Sequence, residues 1–102
     1  MTDRELIEAA AKAAGVYLAP EWRGHHKHLP DWNPLEDDGD ALRLAVALLL
    51  DVRHVHGKAH AGMQDEFWCT EAWFPNGAPA AATRRAITRA AAALAGAAPG
   101  GA

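Results

Sequence analysis

The feature that most constrains this sequence is its shortage of large apolar side chains. Leucine, isoleucine, valine and phenylalanine make up less than a fifth of the 102 residues, and alanine supplies much of the apolar content. So low a fraction is typical of disordered chains when the net charge is high, but here the net charge is only −3. Four tryptophans and one tyrosine add large apolar area. We therefore predict a folded protein with a small core, stabilised by self-association as a dimer.

Length and composition also limit domain organisation and location. A chain of 102 residues matches one domain, which we place at residues 1–96, followed by a disordered tail at 97–102. The single cysteine cannot form an internal disulfide, and the N-terminus contains acids and is unlike a signal peptide. The longest apolar run, 41–50, is about half the length of a membrane span. These features predict a cytoplasmic protein without a membrane segment.

The N-terminal segment carries helix signals at both ends. Thr2 and Glu5 have the spacing of a capping box, in which the two side chains accept hydrogen bonds from backbone amides. Apolar residues then recur at helical spacing, and Gly15 is well placed to end the helix. The pattern predicts a helix over residues 3–14.

Residues 16–38 are predicted to form a long loop. Its three prolines forbid a continuous helix, and loops of this length are uncommon in compact domains. We expect its aromatic residues to hold part of the loop against the core and the histidine-rich segment 24–28 to be an exposed tip. The aromatic residues concerned are Tyr17, Trp22 and Trp32, and the histidines are His25, His26 and His28.

The most apolar segment follows a cluster of carboxylates. Acids at a helix start accept hydrogen bonds from its free amides and favour the positive end of its dipole. We therefore predict a helix over 39–50, ended by Asp51. Because this helix is apolar on all sides apart from Arg43, it is expected to be the central buried one. Its expected core residues are Leu42, Val46 and Leu49.

The second half of the chain predicts strands followed by a helix. Segments 52–56 and 67–74 are rich in β-branched or aromatic residues, and 58–66 has room for a short third strand. Pro79 suits the first turn of a helix, which propensity predicts over 83–94 with Gly96 closing it. Because short connections join the strands, they should pair antiparallel. The predicted fold is α+β, with three helices and a small antiparallel sheet of two or three strands between the second and third helices.

Two blocks of sequence resemble small phage and prophage proteins of uncharacterised function. The first is the Trp-Asn-Pro followed by acids and an apolar segment at 32–46, and the second is the Thr-Arg-Arg-Ala-Ile block within 82–91. Together they cover about a quarter of the chain. The resemblance implies a bacterial or phage origin and a small α+β domain. It implies no activity, cofactor or catalytic residue, and the histidine-rich segment 25–28 is not part of it.

The carboxylates at 36–40 have two interpretations. Four acids within five residues offer the oxygen ligands that divalent cations prefer, although the complete calcium-loop pattern is missing. Capping of the following helix is the commoner role and is the one we favour. In that case Trp32 buries its ring, Asn33 bonds nearby backbone and Pro34 fixes the turn.

Histidines and the cysteine provide the candidates for metal binding and catalysis. A zinc ion needs about four nitrogen or sulfur ligands, and the candidates match no established zinc spacing. A thiol nucleophile paired with a histidine is conceivable, but the chain lacks serine and any glycine-rich phosphate loop. We therefore predict no cofactor and assign no catalytic residue. The metal candidates are His54, His56, His60 and Cys69.

The last predicted helix carries charges of one sign only. Its charged residues are all arginines, and Arg85 and Arg89 lie four residues apart, where like charges repel slightly. An anion would relieve this repulsion: a phosphate, or the acids at 36–40 of the same or another chain. The interpretation without a functional role is that these arginines form a solvated helix face. The candidates for interaction are Arg84, Arg85, Arg89, Asp37, Asp38, Asp40 and Trp32.

These features predict a non-enzymatic accessory or interaction protein of phage or prophage derivation. Its partner would be a protein, either a second copy of the chain or a host or phage protein. Two alternatives remain open: a weak nucleic-acid-binding protein that uses the arginine helix, and a small metal-dependent enzyme.

Overall fold

The computed structural model describes residues 1–16 and 32–96. The predictions for Tyr17 and Trp22, for the histidine-rich tip at 24–28 and for the tail at 97–102 therefore lie outside the described residues. Among the described residues, no helix is both long enough and apolar enough to cross a membrane.

Helix α1 spans Asp3–Ala14, as predicted. The backbone N–H of Glu5 donates to the Thr2 hydroxyl at 3.1 Å, and the backbone N–H of Thr2 donates to the Glu5 carboxylate at 2.8 Å. This last bond lowers the pKa of Glu5, because it stabilises the charged carboxylate. Gly15 ends the helix at a φ of 76°, a conformation that glycine adopts without steric cost. The predicted capping box is confirmed.

The sheet has three antiparallel strands in the order β1-β2-β3: Asp51–Val55, Lys58–Met63 and Phe67–Ala72. His56 and Gly57 have φ values of 52° and 78° and form the two-residue turn between β1 and β2. A two-residue turn with positive φ at both positions matches the twist of the strands that it joins. The predicted strand 52–56 is therefore shifted by one residue, because His56 belongs to the turn.

Helix α2 spans Asp38–Leu48 and follows α1 and precedes the sheet in chain order. It ends earlier than predicted, because Leu49 adopts the left-handed conformation with a φ of 56° and its N–H bonds back to Ala45 and Val46. Asp51 was expected to end the helix, but it is the first residue of β1. Only Leu50 separates the helix cap from the sheet.

Helix α3 spans Pro79–Gly96 and is the central helix of the fold. It starts at Pro79, so the predicted helix 83–94 is extended by a turn at its start and ends at Gly96. It packs against α1, α2, β2 and β3, and its buried residues cover most of its circumference. The predicted architecture is confirmed: three helices, with an antiparallel sheet whose strands lie between α2 and α3 in chain order.

The core is made largely of alanine. Its main cluster joins alanines of α1, α2, β2 and α3, with few larger side chains among them. Small side chains allow helices to approach one another and a sheet closely, since the separation depends on the residues at the contact. The larger buried members are Leu44 and Ile87, with Trp32 packed at the edge as predicted.

The prediction that α2 is the central buried helix is wrong. Its buried residues are Ala41, Leu44 and Ala45, whereas Leu42 and Val46 are 63% and 62% exposed and Leu49 is 80% exposed. A helix that is apolar on all sides cannot show from its sequence which side meets the core. Here α3 occupies the centre, so α2 lies at the edge and one of its apolar sides faces outward.

We predict that Leu44→Ala destabilises the fold by about 2–5 kcal/mol, because Leu44 is only 2% exposed and its removal leaves a cavity. Leu42→Ala, the matched substitution on the outer side of the same helix, should cost less than about 1 kcal/mol. Urea unfolding of both variants in dilute solution measures the difference. Equal losses would show that the helix faces have been assigned incorrectly.

Candidate functional site

The carboxylates before α2 cap the helix. Asp37 is its N-cap residue and accepts a hydrogen bond from the Asp40 N–H at 2.7 Å. Asp40 in turn accepts from the Asn33 N–H at 2.9 Å and from Arg43 at 2.8 Å. The Asn33 side chain accepts from the Leu35 N–H at 3.0 Å. The Trp-Asn-Pro block and the acids are thus joined in one hydrogen-bonded turn, in agreement with the capping interpretation.

The arginines of α3 each pair with a carboxylate of this chain. Arg84 contacts Asp38 at 2.6 Å and also donates to the Leu35 carbonyl at 2.8 Å. The other two pairs are Arg85 with Asp3 at 2.8 Å and Arg89 with Glu71 at 2.7 Å. The anion expected to relieve the charge on this helix is therefore supplied internally, and for Arg84 it comes from the predicted acid cluster. These guanidinium groups tie α3 to α1, α2 and β3.

The four metal candidates do not come together. His54 faces α3, where its Nε2 lies 2.7 Å from the Thr83 hydroxyl, and His56 lies in the hairpin turn. His60 lies on the opposite side of the sheet, with Nδ1 2.8 Å from the Thr70 hydroxyl. Cys69 is the neighbour of buried Ala61 and faces the helices. Within residues 1–16 and 32–96, no group of three or more histidine, cysteine or acidic side chains is arranged to hold a metal ion.

Cys69 has the properties of a structural thiol. Partial burial raises its pKa, the nearby Glu71 carboxylate adds to that rise, and the Arg89 guanidinium opposes it. Since only the thiolate is a strong nucleophile, a raised pKa lowers its reactivity at neutral pH. His60, on the other face of the sheet, cannot act as its base. The thiol–histidine pair considered from the sequence is not formed between these residues.

The strongest surface feature is an apolar ridge on α2, formed by Leu42, Val46 and Leu49. Leu42 and Val46, four residues apart, lie on one side of the helix, and Leu49 is the exposed C-cap residue that follows it. The sequence pattern predicted these three residues as part of the core, which is wrong, because all three are exposed. Their exposure makes them a candidate contact surface.

A groove of about 410 Å³ lies beside this ridge. Its walls come from α2, from β1 and from the first turns of α3, and most of its lining is apolar. Asp38 and Arg84, paired with one another, lie among its lining residues. The apolar lining includes Ala41, Leu42, Ala45, Val52, Ala80 and Ile87.

The second surface is the side of the sheet that faces away from the helices, here called the outer sheet surface and defined by Arg53, Lys58, His60 and Trp68. Because side chains alternate along each strand, these residues lie on one face of the sheet, and buried Ala59 and Ala61 lie on the other face, which the helices cover. From the sequence, His60 was predicted only as a metal candidate, and no role was predicted for the other three residues. The alternation was visible in the sequence, but which side the helices cover was not.

We predict that alkylation of Cys69 near pH 8 is several-fold slower in the folded protein than in the same protein unfolded in urea, because both burial and the raised pKa reduce access to the thiolate. Glu71→Gln should speed the reaction of the folded protein, because it removes a negative charge that raises the pKa. Time-resolved mass spectrometry with iodoacetamide measures both rates. A folded rate equal to the unfolded rate would contradict this placement of Cys69.

No protein-family model, curated protein or solved structure matches this chain. The resemblance of its two sequence blocks to small phage proteins therefore stays a prediction, and the function has to be argued from the surfaces described above.

Proposed function

We propose that this chain is a non-enzymatic interaction protein, of the small phage and prophage kind that its sequence resembles, and that it works as a homodimer formed through α2. The observation that carries the proposal is the exposure of Leu42 and Val46 on one side of that helix, together with exposed Leu49 at its C-cap. Exposed apolar side chains occur singly on most proteins, but a contiguous group beside an apolar groove marks a contact surface.

The sequence of α2 indicates that the side of the helix that faces away from α3 is also covered by another apolar surface. A surface helix normally carries polar residues on the side opposite the core, whereas a helix that is apolar on all sides is normally buried on all sides. In α2 the side that carries buried Leu44 packs against α3, and another side presents the ridge. A second apolar surface against the ridge would give this helix the environment that its composition requires.

A second copy of the chain is the partner that fits this surface. The ridge offers large side chains, and the adjoining groove has small residues such as Ala41, Ala45 and Ala80 along its walls. A surface that carries both a projection and a depression can pair with itself about a two-fold axis, with each ridge in the groove of the other copy.

The expected association is reversible. Burial of a leucine or valine side chain stabilises a complex by about 1.5–3 kcal/mol at most, and association costs about 4–15 kcal/mol in lost freedom. Three ridge residues from each copy supply enough apolar area for weak dimerisation, but little more. Exposed ion pairs at the edge would add only about 0–1 kcal/mol each.

The two other functions considered from the sequence have less support. The arginines of α3, which would contact nucleic acid, are each paired with a carboxylate. A metal-dependent enzyme would need converging ligands, and the candidate histidines and cysteine are spread over both faces of the sheet and its turn.

We predict that the wild-type protein shows a mass that rises from monomer towards dimer with concentration in sedimentation equilibrium. Val46→Glu should remain a monomer over the same range, because the dimer would bury an unpaired carboxylate. The matched control is Val55→Glu, which places the same charge on a valine that is 39% exposed on the outer sheet surface and should leave dimerisation unchanged.

Thermal melts must show that both variants are folded. A wild-type protein that stays at monomer mass up to high micromolar concentration would overturn the homodimer, and so would equal weakening by Val46→Glu and Val55→Glu.

A further inference from the structure

The outer sheet surface is built around one arginine and one tryptophan. Arg53 and His60 are direct cross-strand neighbours on β1 and β2, and Trp68 on β3 is opposite Gly62. The Arg53 guanidinium carbon lies 5.1 Å from the centre of the Trp68 ring. Such a contact is favourable because the face of the indole carries partial negative charge.

The partner of Arg53 distinguishes it from the other arginines in the described ranges. Those five are paired with carboxylates at 2.6–2.8 Å, whereas Arg53 makes no ion pair with any residue of 1–16 or 32–96. Its guanidinium is held by an aromatic ring, which leaves its N–H groups without a carboxylate acceptor in this part of the chain. An arginine held in this way is suited to accept an anion.

The indole of Trp68 lies next to a position without a side chain. Gly62 is its cross-strand neighbour, and a Cβ there would clash with the Phe67 carbonyl oxygen and lie 2.8 Å from the Trp68 Cα. Glycine is therefore required for the close approach of β2 and β3 at this point. As a result Trp68, which is 37% exposed, has no side chain directly opposite it in β2.

The charge of this surface differs in sign from that of the whole chain. Two cations, Arg53 and Lys58, face this way, and Asp51 at the start of β1 is the one carboxylate among the described strand residues that do so. Asp51 lies in the same cross-strand row as Gly62 and Trp68, and its carboxylate accepts a hydrogen bond from the Gln64 N–H at 3.3 Å. A chain of net charge −3 thus presents a locally basic patch.

We infer that the outer sheet surface binds single-stranded nucleic acid. Arg53 and Lys58 provide cations for two phosphates, and Trp68 with its overlying guanidinium provides a flat surface on which one base can stack. Proteins that bind single strands without sequence preference combine these two elements, a basic path for the backbone and aromatic rings for the bases.

The chemistry of the patch favours this ligand over the other anionic ones. An acidic peptide would use the charges but not the aromatic plane. A double helix hides its bases in the stack, where an open sheet cannot reach them, whereas the bases of a single strand are free to stack on side chains. The site is independent of the proposed dimer, because α2 packs against α3 and the groove beside it opens on the helix side of the sheet.

Fluorescence anisotropy of a labelled oligothymidylate at low salt tests the inference. We expect saturable binding whose logarithmic salt dependence has a slope of about −1.4, since each phosphate contact to a single strand contributes about −0.7. Arg53→Gln and Trp68→Ala should each weaken binding by about fivefold or more, in line with the effect of removing one stacked contact. Trp68→Phe, which keeps an aromatic ring, should retain part of the affinity even if Trp68→Ala is poorly folded.

Arg4→Gln is the charge-matched control, because Arg4 is an exposed arginine on α1 whose partner is Glu8. It should leave the affinity unchanged. The inference is overturned if the oligonucleotide does not bind at low salt, or if Arg4→Gln and Arg53→Gln weaken binding equally. Loss of binding in Arg85→Gln but not in Arg53→Gln would assign binding to α3 instead. Equal competition by polyglutamate would indicate an acidic protein as the ligand.

Discussion

Close packing of alanine around α3 is the interaction on which the rest of this structure depends. The central helix meets α1, α2 and two strands mostly through alanine methyl groups. A methyl group loses no rotamer entropy on burial, but it contributes little apolar area, so stability depends on tight fit over a long contact. Thr88 is the one buried polar side chain within residues 1–16 and 32–96, and it fits this packing because its hydroxyl donates to the Arg84 carbonyl at 2.8 Å within the same helix.

An alanine core leaves little space for large side chains. Leu42, Val46 and Leu49 therefore lie on the outside of α2, and Trp68 lies on the outer side of the sheet. The same constraint explains the use of the arginines: their long side chains reach from α3 to carboxylates on α1, α2 and β3 and hold together elements whose apolar contacts are small. Both surfaces that we interpret functionally follow from this arrangement, one apolar on the helix side and one basic and aromatic on the other.

Local signals in the sequence predicted the elements well. The capping box of Thr2 and Glu5, the acids before α2 and Pro79 at the start of α3 act within one helical turn, so their effects do not depend on the rest of the fold. Boundaries were less accurate where tertiary structure intervenes. Leu49 takes a left-handed conformation that its side chain disfavours, because the chain must leave α2 and enter β1 within two residues.

The order of the helices, the antiparallel sheet and the capping role of the acids were determined by the sequence itself, because spacing and turn chemistry act over short distances. Which side of α2 faces the core was decided only by the tertiary structure, because a helix that is apolar on all sides has no preferred face until a neighbour covers one. The contact between Arg53 and Trp68 likewise depends on the pairing of three strands. These residues are fifteen positions apart in the sequence and meet only because β2 aligns them on the face that the helices leave open.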